Sequence, residues 1–172
     1  MMRRFRKLCE KHRDRVYTFA WYFLGNREDA EDVVQEVLIR LWNHWQEVDP
    51  VRLPAWITRV ARNACLDALR KRKSYRSVVS GESGEKALAR AASGGPDPEK
   101  LAEALEFQRE LERALQTLPE AHRSVVVLRE IQRLKYDEIA EALDLPLNTV
   151  KVYLHRGRRE LREQLRKSMD DE

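Results

Sequence analysis

The placement of glycine and proline constrains this chain more than any other feature. Only six of each occur in 172 residues, and four of the glycines (Gly81, Gly84, Gly94, Gly95) fall in one short stretch that closes on Pro96 and Pro98. Outside that stretch long runs carry no breaker, so the backbone is free to continue as helix. Strand signals are nearly absent, and the longest β-branched run, Val125-Val126-Val127, is too short to define a sheet. The expected fold is all-α: an N-terminal helical bundle (1–76) and a C-terminal helix-turn-helix domain (99–172), joined by a flexible linker (77–98). The shift to small residues, Gly and Ser begins at Ser74, and such a composition cannot bury enough apolar surface to offset its ordering entropy. All four tryptophans precede it, so the two blocks carry different kinds of core.

In the first block Asn26 is a good N-cap, with Glu28 and Asp29 in the first turn where carboxylates complement the helix dipole. From Arg27 to about Trp45, the residues Ala30, Val33, Val34, Val37, Leu38, Leu41, Trp42 and Trp45 form an apolar stripe at helical period. A second helix opens at Leu53-Pro54, buries Trp56, Ile57, Val60, Ala61 and Ala64, and runs into Arg70-Lys71-Arg72-Lys73. A preceding helix, roughly 5–24, supplies Val16, Phe19, Ala20 and Phe23 to the same core. In the second block helices are expected at about 99–115, 119–130, 136–143 and 148–166. The last two flank Asp144-Leu145-Pro146-Leu147: a short helix, a tight turn and a longer basic helix, which is the helix-turn-helix plan.

Three surfaces carry chemistry. Between Leu145 and Lys167 seven basic residues stand against two acidic ones, a balance suited to charge contacts and counterion release on a phosphate-rich partner. Thr149, Lys151, Val152, His155 and Arg156 lie toward the end that reaches base edges in a major groove, and Arg158 extends the basic set. A solvated helix is the plain alternative, but the turn, the apolar spacing and the basic asymmetry coincide. In the first block Arg59, Arg62, Asn63, Leu66 and Arg70 share one helical face. With Lys71 to Lys73 they form a basic strip interrupted by one amide, suited to a phosphate backbone and an exposed base. Asp32, Gln35 and Glu36 beside Ile39 form an acidic face that neither DNA-directed surface needs; a protein partner with a basic face accounts for it.

Other chemistry finds no support. Cys9 and His12 are three apart on a helix, but no second pair completes a metal site. Cys65 reads as packing, and the two cysteines as reduced thiols. His12, His44, His122 and His155 are scattered, no nucleophile–base arrangement or phosphate-cradling glycine loop occurs, and neither an enzyme nor a cofactor is expected. The basic N-terminus lacks a following apolar region, and no stretch approaches the roughly 20 apolar residues of a membrane span. A cytoplasmic protein is expected.

The run Asp29-Ala30-Glu31-Asp32-Val33-Val34-Gln35-Glu36-Val37, followed by Leu41-Trp42, resembles the second conserved region of sigma factors. Leu53-Pro54-Ala55-Trp56-Ile57-Thr58-Arg59-Val60-Ala61-Arg62-Asn63 resembles the promoter-melting segment that follows it. Leu118-Pro119, Val127-Leu128-Arg129-Glu130, Tyr136-Asp137-Glu138-Ile139-Ala140, Thr149-Val150-Lys151 and His155-Arg156 together resemble the fourth region. Both domains in order with no third between them resembles the extracytoplasmic-function (ECF) group. The resemblance implies that Asp32, Gln35, Glu36 and Ile39 dock on the polymerase β′ clamp helices. It implies that Arg59, Arg62, Asn63 and Arg70 meet the −10 element, beside a loop from Glu47 to Leu53 that holds a flipped base. It further implies that Thr149, Lys151, Val152, His155, Arg156 and Arg158 meet the −35 element, and that the helix opening at Pro119 lies near the β flap. Core RNA polymerase and promoter DNA are the implied partners, and an anti-sigma factor is a third the family allows.

This chain departs from the family pattern at Val152 and Tyr153, where Ser and Arg usually follow the lysine, and at Asp144, a turn position often held by Gly. Gly157 inside the recognition helix costs about 1 kcal/mol against Ala, so the helix is expected to end or flex there. Two other classes compete. A ligand-sensing repressor requires an apolar pocket or a phosphoacceptor on a strand, and a helical adaptor leaves the helix-turn-helix unexplained.

Overall fold

The computed structural model describes residues 2–78 and 98–170. Every regular element in them is helical: α1 (Met2–Leu24), α2 (Arg27–His44), α3 (Leu53–Val78), α4 (Pro98–Thr117), α5 (Glu120–Val126), α6 (Tyr136–Leu143) and α7 (Leu147–Asp170). The first three form one unit and the last four another.

Local rules set most of these ends. The Asn26 side chain accepts a hydrogen bond from the Asp29 amide at 2.8 Å and so caps α2. Ala30, Val33, Val34, Val37 and Leu41 turn inward against Phe19, Ala20 and Phe23 of α1 and Ile57, Ala61 and Ala64 of α3. Trp42 departs from the expected stripe. It is 49% exposed and lies edge-on to Phe5, whose centroid is 4.7 Å away, because only the first turns of α1 reach that height. α3 departs from expectation at its other end: it continues through Ser74 to Val78. Small residues alone do not stop a helix, and no glycine or proline intervenes before Gly81. The remainder of the expected tether, 79–97, lies outside the described residues.

In the second unit α5 passes into a π-helical turn, Val127–Ile131, where the Gln132 amide reaches back to the Val127 carbonyl at 3.1 Å. Arg123 through Leu128 are buried in succession, so this segment is the central element of its unit and is enclosed on every side. α7 crosses it closely. A Cβ placed on Gly157 would stand 2.6 Å from a methyl of Val126 and 3.4 Å from His122. The expected break in the recognition helix is therefore absent: Gly157 is a packing residue within an unbroken α7. Gly157→Ala should destabilise the chain by about 1–3 kcal/mol despite alanine's better helix propensity, because the β-branched Val126 cannot yield. Chemical denaturation that found the variant more stable would contradict this packing.

The two units share a continuous core, with α3 against α6 and α1 against α4. The end of α1 shows how closely they fit. A helix leaves its last four carbonyls without intrahelical partners. Here the Gly25 amide donates to Trp21 O (2.8 Å), Gln116 to Tyr22 O (3.0 Å), Arg123 to Phe23 O (2.7 Å) and Arg72 to Leu24 O (3.3 Å). Two of these four donors come from the second unit.

Candidate nucleic-acid interface

The turn between α6 and α7 is made by Asp144, whose φ of 54° is left-handed and lets the Leu145 amide return to the Ala140 carbonyl at 3.0 Å. Aspartate tolerates that conformation better than most residues, which is how it replaces the glycine of related turns. Ile139, Ala142, Val150 and Leu154 close the inner face of the pair. Lys151, Val152, His155 and Arg156 are exposed on the outer face, and Thr149 is half-buried at its edge. Among the described residues none of Lys151, His155 and Arg156 takes part in an ion pair. Arg158 differs, donating to Glu130 from Nε at 2.8 Å and Nη2 at 2.6 Å. Tyr153 turns inward against His122, with ring centroids 5.2 Å apart. The substitution of an aromatic residue there serves packing and leaves Val152, 44% exposed, as the apolar member of the outer face.

On α2, Asp32 and Gln35 are exposed and Glu36 is half-buried, paired with Arg40 at 2.6 Å. Ile39 is 62% exposed one turn on, beside Trp42. Asp32 and Glu36 also line a groove of about 380 Å³ between α2 and α3, whose far wall carries Ala64, Asp67, Ala68, Lys71 and Tyr75. Asp29 lines the same groove and is held there by Arg72 and by the Asn26 amide.

The strip on α3 is divided. Asn63 is exposed, Arg70 is exposed and paired with Asp67 at 2.9 Å, and Leu66 is half-buried against the core. Arg59 and Arg62 face the second unit. Arg59 donates from Nη2 to Glu141 O at 2.7 Å and from Nε to Ala142 O at 3.1 Å, the carbonyls that end α6. Arg62 reaches the Ser124 hydroxyl at 3.5 Å, and burial lowers its pKa from the ordinary arginine value, with Glu120 opposing. Val51, at the tip of the loop before α3, is 85% exposed.

Sequence reasoning missed the residues that join the units. Trp21 donates to the buried Glu112 at 2.8 Å, Gln132 to Arg15 O at 2.7 Å, and the buried Arg123 binds both units. The partner of each lies about 90 or more positions away, so no local spacing marks it. His12 is buried at the same seam, where burial lowers its pKa, and Cys9 is half-buried beside a groove that α1 forms with α2.

Comparison with known proteins settles the family. The Sigma-70 region 2 model matches residues 8–75, and the Sigma-70 region 4 model matches 108–161. The chain belongs to the sigma-70 family. Its relatives place it in the ECF group. It is 36% identical over 161 residues to the ECF RNA polymerase sigma factor SigE of Mycolicibacterium smegmatis, covering 94% of this chain and 61% of that one. It is 34% identical over 166 residues to the ECF RNA polymerase sigma factor SigW of Bacillus subtilis, covering 94% and 89%. The fold is shared with the sigma factor RpoE of Bartonella quintana, solved in complex with the anti-sigma factor NepR. The TM-score is 0.75 at 23% identity, over 94% of this chain and 96% of that one. CnrH, solved with the cytosolic domain of CnrY, matches with a TM-score of 0.69 at 24% identity, over 97% and 90%. In this sigma factor the region 2 match covers most of α1 to α3, and the region 4 match runs from within α4 into α7.

Proposed function

We propose that this sigma factor binds core RNA polymerase and directs it to promoters, with the work divided between its two units. Residues 1–76 dock on the polymerase through Asp32, Gln35, Glu36 and Ile39, and read and open the −10 element through Arg59, Arg62, Asn63 and Arg70. Residues 99–172 read the −35 duplex through Thr149, Lys151, Val152, His155, Arg156 and Arg158, and 77–98 tether the two. The protein has no catalytic site or cofactor of its own and acts in the cytoplasm, where polymerase and chromosome meet. An anti-sigma factor is a further partner, as RpoE has in NepR.

The observation that carries this reading is the outer face of α7. Three cationic or titratable side chains, Lys151, His155 and Arg156, stand exposed with no ion pair among the described residues on a helix-turn-helix scaffold whose inner face is buried, which is the arrangement a major groove accepts. No glycine or proline interrupts α2, so its acidic face is rigid and shaped for one partner surface.

Replacing Asp32, Gln35 and Glu36 together with Ala tests the docking assignment. Binding to core polymerase should weaken by about tenfold or more, because complementary charge across an interface is lost. Unfolding should change by under about 0.5 kcal/mol, since Asp32 and Gln35 are exposed and the Glu36–Arg40 pair is a surface pair. Unchanged polymerase affinity in the triple variant would remove α2 from the interface.

A further inference from the structure

Asn148 stands on the outer face of α7 but has no part in the function above. Asn148, Lys151, Val152, His155, Arg156 and Arg159 are all exposed, and at about 100° per residue they follow one another along a single stripe. Asn148 and Val152 lie about 40° apart near the middle of it, with Lys151 about 60° to one side of Asn148 and Arg156 about 80° to the other. In this half of the helix the two neutral side chains are central and the cations form the rims. His155 and Arg159 share the middle but sit about 10 Å or more beyond Asn148, away from the end that a helix-turn-helix presents to base edges.

Nothing inside the protein accounts for the neutral pair. Asn148 lies within the first turn of α7, which opens at Leu147, and its side chain takes part in no hydrogen bond among the described residues. Val152 is an aliphatic residue left 44% exposed. Asn and Val are weaker helix formers than the Arg, Glu and Lys at the exposed positions further along α7, so helix propensity does not explain them either. In a major groove the pair has a definite chemistry. A primary amide matches the adenine edge, its oxygen accepting from N6 and its nitrogen donating to N7, and an aliphatic side chain meets the 5-methyl group of thymine. About 6 Å of helix axis separates the two residues, roughly two base-pair rises, so a helix lying in the groove reaches neighbouring pairs. On the −35 role proposed above for α7, we infer further that Asn148 is a specificity-determining residue. With Val152 it directs this face to duplex carrying neighbouring A·T pairs, Asn148 reading adenine and Val152 the thymine methyl.

Base analogues that delete one group at a time test this on the full chain. Duplexes that it retains from a pool with a randomised core should be enriched in neighbouring A·T pairs. In the enriched duplex, deoxyuridine in place of thymidine removes only the 5-methyl and should weaken native binding about fourfold. 7-Deazaadenine in place of adenine removes only the N7 acceptor and should weaken it about fivefold. Val152→Ala should become indifferent to deoxyuridine while keeping the response to 7-deazaadenine, and Asn148→Ala should do the reverse. Both variants should unfold at the native temperature, because both sites are exposed. A native chain indifferent to either analogue overturns the inference, as does a response that survives in the matching variant. Failure of the −35 role looks different: no sequence would be enriched, and Lys151→Ala and Arg156→Ala would leave binding to the pool unchanged. Enrichment without A·T pairs, with binding still lost in Lys151→Ala, would keep that role and overturn the inference alone.

Discussion

Replacing Arg123 with Met should destabilise the folded chain by about 3 kcal/mol or more, among the larger costs a single substitution brings. The guanidinium is 6% exposed and makes four hydrogen bonds. It donates to Phe23 O at 2.7 Å, to Gln116 O at 2.8 Å, to Gln116 Oε1 at 3.1 Å and to Leu118 O at 3.0 Å. Phe23 O and Gln116 O end α1 and α4, so both lack intrahelical partners and lose their only described donor. The methionine side chain restores the apolar stem against Phe23 but none of these bonds. Arg123→Lys should recover less than half the loss, because one ammonium cannot span carbonyls that the planar fork reaches in two directions. Urea unfolding followed by circular dichroism measures both variants. A cost below about 1 kcal/mol for Arg123→Met would mean that water replaces the guanidinium, and that the residue does not hold the two helix ends.

Changing Lys151 or Arg156 to Ala should cost about 1–3 kcal/mol of binding to −35 duplex, whereas Asn63→Ala should leave duplex binding almost intact and lower open-complex formation. The difference follows from the states that the two faces meet. Lys151 and Arg156 are exposed on α7, and on the proposed reading they enter a duplex groove, so their loss would be felt at first encounter. Asn63 is exposed on α3, and its amide can offer both donor and acceptor to the edge of an unstacked base. A pre-melted template would restore part of a melting defect but not a lost base contact. Permanganate reactivity on closed and pre-opened templates separates the two. Equal loss of initial duplex binding for Asn63→Ala and Arg156→Ala would contradict the division.

Elements governed by local chemistry were legible in the sequence. The start of α2 follows from Asn26 and the first-turn carboxylates, and α6 occupies the expected 136–143 because its apolar spacing and the Asp144 turn bound it on both sides. The acidic face of α2 and the basic face of α7 were equally legible, since helical period alone decides which residues share a side. What sequence reasoning could not supply was decided by distant residues. Gly157 reads as a break in isolation; only the approach of Val126 explains it. Arg59 and Arg62 read as one strip with Asn63, and only their partners in the second unit, the end of α6 for Arg59 and Ser124 of α5 for Arg62, separate them. The continuation of α3 past Ser74 has a different origin: composition marks where a chain can be disordered, but without Gly or Pro it does not mark where a helix must stop.

The central claim is that this chain gives core polymerase its promoter specificity, and run-off transcription measures that directly. Core RNA polymerase, the full chain and a pool of templates with randomised upstream sequence should yield transcripts that core alone does not make. The templates that support them should share two short elements at a fixed spacing, one read as duplex and one as an opened strand. A chain that binds both DNA and core polymerase, yet raises no transcript above the level of core alone, would contradict the account.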